Sequence, residues 1–300
     1  MELDQLEAFV AIVRSGGFSR ASEALRLSQP AISRRLGLLE RELGAPLFER
    51  LPRGVVLTDA GQVFLPHAEA ILASVRDGVD AVGELTGTSR GTVTLAIVGT
   101  LASTPLTERL RRFRDRYPGV DLRLTTALSA EVSALVLRGD ATLGLRYRSD
   151  PHQELTSTIV RQEPIVPVCS ASHRLARAHR VNPHALAGER WIGFPRPSGE
   201  PYSQALQQLL AAGGLAGAEW VPIDSLTAQK RMVEAGFGLA LLPASSVDEE
   251  LRAGTLSALR IPALRTTIPV ALVHRRRAFL SGATRALIAL LSRWPAGRRG

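Results

Sequence analysis

Gln29, Ser33 and Arg34 bring an amide, a hydroxyl and a guanidinium to one side of a short segment that reads as the start of a helix. Ser28 precedes them as a candidate cap, and Pro30 sits in the first turn, where a missing N–H costs little. A small, polar, Arg-bearing surface beside a helix N-terminus suits the major groove of duplex DNA, because donors there reach base edges without steric conflict. Ile32, Leu36, Leu39 and Leu43 recur at helical spacing and give the same helix one apolar stripe to bury. Upstream, Ser19 is expected to cap a shorter helix, with Glu23 in its opening turn and Ala21, Ala24 and Leu25 as its apolar side. Arg26-Leu27 makes the turn between the two, so residues 18–37 read as a helix-turn-helix. The competing reading is a plain solvated helix in which Ser33, Arg34 and Arg35 meet only water.

The neighbouring elements favour the first reading. Asp4 and Glu7 have capping-box spacing before a helix carrying Leu6, Phe9, Val10 and Val13, which Gly16-Gly17 ends. After the pair of helices, Leu47-Phe48 and Val55-Val56-Leu57 predict two short strands around a turn at Pro52-Arg53-Gly54. This is a wing, and Arg50 and Arg53 would offer it to a phosphate or the minor groove. Thr58 then caps a helix running to about Gly83. Its Phe64, Ala68, Ile71, Val75 and Val82 lie close to a four-three repeat, which suits a seam between two chains. Pro66 inside it predicts a kink near Gln62. A helix packed on its own domain is the alternative.

The stretch FSRASEALRLSQPAISRRLGLLERELGAPLFERLPRGVVLTDAG resembles the N-terminal signature of LysR-type transcriptional regulators. Ala21, Ala24, Leu25, Ser28 to Ala31, Ser33, Leu39-Glu40, Leu43-Gly44, Leu47-Phe48, Arg50 and Leu57-Thr58 carry the likeness, with no insertion. The resemblance implies an all-α winged helix-turn-helix over 1–58, a linker helix over 59–87 and an α/β effector-binding domain over 91–294. Ser28, Gln29, Pro30, Ser33, Arg34, Arg50 and Arg53 are the candidate DNA-binding residues. It also implies a homodimer assembled into tetramers as dimers of dimers, with RNA polymerase as a further partner.

Composition bounds these readings. The 300 residues suggest two domains, and 45% hydrophobic residues suffice for their cores. The net charge of +9 is weak evidence for nucleic acid, because residues 1–60 hold eight arginines and eight acids. From Leu251 onward there are ten arginines and no acid, so coating of nucleic acid by that end is a competing idea. The single cysteine, Cys169, excludes an internal disulfide and agrees with a reducing cytoplasm. Glu2, Asp4 and Glu7 stand where a secretory leader would be basic, and no apolar run reaches the ~18 residues of a spanning helix.

Beyond Gly91, strands predicted at 92–98, 120–126, 141–147, 164–170, 190–195, 221–224, 239–243 and 268–274 are interleaved with helices at 105–117, 130–138, 201–212, 225–235 and 282–294. Repeated βαβ units predict an open parallel sheet, with ligands at the carboxyl ends of its strands. Thr100, Ser103 and Thr104 coincide there with a helix start at Pro105. FRDRYPGVDLRL, EPIVPVCSASHRLA, LAGERWIGFP and MVEAGFGLALLP resemble the same family's effector domain. The implied fold is two-lobed and like periplasmic solute-binding proteins, with one lobe of 91–163 plus 267–294 and another of 164–266. Thr100, Ser103, Thr104, Leu128, Ser129, Tyr147, Phe194 and Ser225 are the candidate effector contacts. Leu128-Ser129 replaces a polar pair frequent in the family, and Thr142 replaces an acid. Arg146, Arg148 and Arg196 favour an anionic metabolite as the small-molecule effector; no cofactor is expected.

Catalytic and metal motifs do not emerge. The chain has no G-x-S-x-G, Walker A, H-E-x-x-H or dinucleotide fingerprint. His173, His179 and His184 show no metal spacing, and Cys169 with His173 has no neighbouring oxyanion hole. The expectation is a regulator and not an enzyme, with a solute-binding module that has lost specific DNA readout as the alternative.

Overall fold

The computed structural model describes the chain except residues 52–53, 87–90, 187, 196–200 and 294–300. Contacts divide it into two units, one built on Leu3–Thr86 together with Leu137–Asp140 and one on the rest of Thr92–Ser292.

In the first unit, α1 (Leu3–Ser15), α2 (Phe18–Leu25) and α3 (Gln29–Leu43) close on one small core of Leu6, Phe9, Ile12, Ala21, Ile32 and Leu39. Phe9 lies 5.4 Å from Phe48 and 5.5 Å from Phe64, so the wing and the next helix share that core. Two cap expectations are corrected. The first helix begins at Leu3 with Glu2 as its cap residue, and the Glu2 N–H donates to Gln5 Oε1 at 3.2 Å, so the Asp4/Glu7 box is displaced by two residues. Ser19 lies inside α2, whose cap is Gly17, because Phe18 is drawn into the helix and packs edge-on to Phe48 at 6.3 Å.

β1 (Phe48–Leu51) and β2 (Gly54–Leu57) pair antiparallel with Phe48 opposite Leu57 and form the wing. Thr58 caps α4 (Asp59–Thr86) as expected: its Oγ1 accepts the Gly61 N–H at 3.0 Å and donates to Pro46 O at 2.7 Å. α4 runs through Pro66 as one helix. The expected seam divides along it. Phe64 and Ala68 pack into the chain's own core, while Ile71, Val75, Val79, Val82 and Leu85 are exposed.

The second unit runs β3 (Thr92–Val98), α5 (Thr104–Arg116), β4 (Asp121–Ala127), α6 (Ser129–Leu137), β5 (Leu143–Tyr147), β6 (Leu155–Ser170), β7 (Trp191–Gly193), α7 (Pro201–Ala212), β8 (Trp220–Pro222), α8 (Leu226–Glu234), β9 (Leu239–Pro243), α9 (Ala244–Ala253), β10 (Leu256–Ala258), β11 (Thr266–Arg275) and α10 (Gly282–Ser292). Strand order is β4-β3-β5-β11-β6-β9-β7-β8, with β10 on β6. The all-parallel expectation fails at the middle. β3, β4 and β5 are parallel, as are β7, β8 and β9, but β6 and β11 are antiparallel to each other and to their neighbours. The cause is the length of β6: Leu155–Glu163 precedes the segment the periodicity marks and pairs with β11, so two long strands run through both lobes. The sheet is mixed, and the domain is a two-lobed α/β fold.

Candidate nucleic-acid interface and effector cavity

α3 presents two opposed faces. Ile32, Leu36 and Leu39 are buried, while Ser28, Gln29, Pro30 and Arg34 are exposed and Ser33 is half-buried. The Ser28 hydroxyl caps the helix by accepting the Ala31 N–H at 3.4 Å. The adjacent arginines differ. Arg35 Nε lies 3.1 Å from Asp4 Oδ2 and ties α3 to α1, whereas Arg34 has no ion pair among the described residues. Glu40 Oε1 accepts the Leu47 N–H at 2.7 Å and fixes the approach to the wing. Of the two wing arginines, Arg50 lies on β1 opposite Val55, its side chain outside the described residues, and Arg53 lies wholly outside them.

In the second unit a cavity of about 690 Å³ opens at the carboxyl ends of the strands. Thr100, Ser103, Leu128, Phe194 and Ser225, all expected from the sequence, line it. Two expected contacts do not. Ser129, the first residue of α6, is fully buried and is not among the residues that line the cavity. Tyr147 is also fully buried and acts from beneath: its hydroxyl is 2.8 Å from Thr100 Oγ1, and its ring stacks on Tyr202 at 4.8 Å. Thr104 opens α5, with its side chain outside the described residues. Arg146, offered as an anion contact, is buried and paired with Asp150, so it serves the fold. Arg196 lies outside the described residues.

The sequence reading missed Tyr202 and Ser203 in the first turn of α7, Lys230 on α8, and Ser245, Ser246 and Glu249 on α9. Tyr202 is wholly buried, and desolvation, then the nearby Tyr147 and Glu163, push its phenol well above the ordinary range, so it stays a neutral donor to Leu241 O at 3.3 Å. A signal for α9 was present: Ala244-Ser245-Ser246 follows a strand ending in Pro243, which is a helix-start pattern.

Residues 3–62 match the model for "Bacterial regulatory helix-turn-helix protein, lysR family", and residues 86–296 match "LysR substrate binding domain". The chain belongs to the LysR family of transcriptional regulators. Its relatives include an SDS degradation transcriptional activation protein of Pseudomonas sp. (strain ATCC 19151), 34% identical, the match covering 97% of this chain and 95% of the relative. Another is CbbR of Rhodospirillum rubrum, 29% identical over 96% and 95% of the two chains. Full-length CbnR, solved with its target DNA, superposes with a TM-score of 0.67 at 24% identity, covering 98% of this chain and 100% of that one. The structural likeness carries the fold: a helix-turn-helix domain followed by a two-lobed substrate-binding domain. As a LysR-type regulator the chain is not an enzyme.

Proposed function

We propose that this regulator reads a specific duplex sequence through the exposed face of α3. Gln29, Ser33 and Arg34 address base edges, and Ser28, Arg50 and Arg53 hold phosphates or the adjacent minor groove. One observation carries the reading: Arg34 stands exposed without an ion pair among the described residues, one position from an arginine that the fold has already engaged. Side chains committed to reading DNA are left unspent by the protein's own core. CbnR, similar over its whole length, is solved with its target DNA, and the same engagement is proposed here.

Two chains pair along α4, where Ile71, Val75, Val79, Val82 and Leu85 form an exposed apolar row. Pairing places two recognition helices on two half-sites, and tetramers arise as dimers of dimers. A small molecule in the cavity biases the two lobes and resets how the half-sites are held, which requires unequal affinity for two states. The regulator works in the cytoplasm and meets RNA polymerase at its promoter.

The test is footprinting of the full chain on genomic fragments at physiological salt. A discrete protected locus that survives competitor DNA is expected. Uniform, salt-sensitive coverage with no preferred locus overturns the reading.

A further inference from the structure

We infer that Gly37 and Arg41 extend the DNA-reading face of α3: the missing side chain at Gly37 lets the duplex backbone close on the helix, and Arg41, lying back over that gap, holds a phosphate. The inference rests on α3 entering the groove and adds two residues, with a role for each.

At about 100° per residue, Pro30, Arg34, Gly37 and Arg41 fall within about 60° of one another, on the side of α3 opposite the buried Ile32, Leu36 and Leu39. Glycine in a helix interior is destabilising relative to alanine, so its presence there asks for a cause. Packing supplies none. A Cβ on Gly37 would meet one heavy atom within 4 Å, Arg41 Nη1 at 3.9 Å, which is ordinary contact. Gly61 is the contrast, since a Cβ there would stand 2.2 Å from the Leu47 carbonyl oxygen. The backbone supplies no cause either, because α3 runs unbroken from Gln29 to Leu43. Gly78 of α4 is equally open, but no side chain comes within 4 Å of its missing Cβ. Openness alone therefore marks nothing; the arginine laid across Gly37 does.

The cause lies outside the chain. A major groove is about 12 Å wide and a helix with its side chains is about 10–12 Å across, so clearance is slight. Removing one side chain from the outward face brings the groove wall nearer at that level.

Arg41 is the second observation. The carboxylates flanking it in sequence are both engaged elsewhere: Glu40 Oε1 accepts the Leu47 N–H at 2.7 Å, and Glu42 Oε1 lies 2.5 Å from the N-terminal ammonium. Arg41 itself is exposed, with no ion pair among the described residues. A basic residue in the last turn of a helix ordinarily serves the negative end of the dipole. Arg41 instead runs back toward the amino end, so its guanidinium lies level with Gly37. Base edges are met by the amino-terminal residues of a recognition helix. A cation two turns further on faces the sugar-phosphate wall.

Titration of the full chain against a duplex carrying the footprinted locus and a scrambled duplex, at three salt concentrations, tests this, with Tm read on each variant. Gly37→Ala should raise Tm yet weaken binding to the locus, and the bulkier Gly37→Leu should weaken it about tenfold. Arg41→Gln should weaken both duplexes alike and lower the salt slope by about 1, while Arg41→Lys, which keeps the charge, retains the slope. A role in folding alone moves stability and affinity together and leaves the slope where it was. Undiminished binding by Gly37→Leu, or an unchanged slope in Arg41→Gln, overturns the assignment. Footprinting of the unsubstituted chain decides separately whether α3 reads a sequence: if that chain protects its locus and these variants bind as it does, this inference fails alone. If no locus is preferred, the same variants are read on the scrambled duplex, where the same results overturn it.

Discussion

Glu163, fully buried on β6, accepts the backbone N–H of Ser245 at 3.0 Å and so pins the first turn of α9 to the central strand pair. Its other oxygen lies 2.7 Å from Nε of Arg161, itself buried. A buried ion pair contributes little over an apolar substitute, but removing one partner leaves a charge stranded in low dielectric. Glu163→Ala should therefore lose about 3–5 kcal/mol of unfolding free energy in urea. The double variant Arg161→Met with Glu163→Leu should recover most of it. A single variant costing under about 1 kcal/mol would contradict this account of the pair.

Gly61 is the third residue of α4, where helix propensity alone says alanine should stabilise by about 0.5–1 kcal/mol. Packing says the reverse. A Cβ there would stand 2.2 Å from the Leu47 carbonyl oxygen and 2.8 Å from Leu57 Cδ2, so the wing or the helix must move. Gly61→Ala should lower Tm, with a cost of about 1–3 kcal/mol or more. A raised Tm would show that the backbone yields.

That contrast marks what could be read from residues alone. The apolar stripe of α3, the cap at Ser28, the wing and the Thr58 cap follow from local periodicity and hydrogen-bonding chemistry, and they stand where those rules put them. Ser19 failed because two residues compete to start α2 and the choice is made by Phe18 packing on Phe48, a contact 30 positions away. β6 read short because Leu155–Glu163 mixes polar and apolar residues, and only its pairing with β11 makes it a strand. The cavity was half visible. Strand ends pointed to Thr100, Leu128, Phe194 and Ser225, but Ser245 and Lys230 come from helices whose placement depends on the strand order. Tyr147 shows the same limit: its strand-end position is right, yet the register turns its ring into the core beneath Thr100.

The exposed row on α4 gives a direct test of chain pairing. Val79, Val82 and Leu85 are 68%, 61% and 89% exposed, and with Ile71 and Val75 they make a contiguous apolar row that a partner chain would cover. Val75→Glu with Val82→Glu places like charges along the proposed seam. Sedimentation should show a shift toward smaller species at micromolar concentration, with helical circular dichroism retained. Unchanged assembly in the double variant places the pairing surface elsewhere.

Cys169 is fully buried, and desolvation, with a smaller push from the Glu189 charge, raises its thiol to about 11. Folding therefore favours the neutral thiol. Its contribution to stability is fully present below the unfolded thiol's own pKa and is lost as pH rises through the folded value near 11. Stability should fall in alkaline solution, and Cys169→Ala should flatten that part of the decline. At pH 8 a thiol reagent should label the native chain far more slowly than the chain in urea, because the thiolate is both scarce and enclosed. Equal labelling rates would refute the burial argument.

The two adjacent arginines of α3 separate readout from scaffold. Arg35→Ala removes a partly exposed ion pair with Asp4 and should cost about 0.2–1 kcal/mol of stability, leaving sequence preference intact. Arg34→Ala touches no ion pair among the described residues, so stability should hold. If Arg34 meets a base edge, its loss should cost about 1–3 kcal/mol at the preferred site and relax the preference at one position, with non-specific affinity nearly unchanged. If it meets a phosphate instead, binding should weaken equally on all sequences and the salt slope should fall by about 1. Titrating both variants against the footprinted site and a scrambled one, at two salt concentrations, distinguishes these cases. Only the first is compatible with α3 reading bases through Arg34.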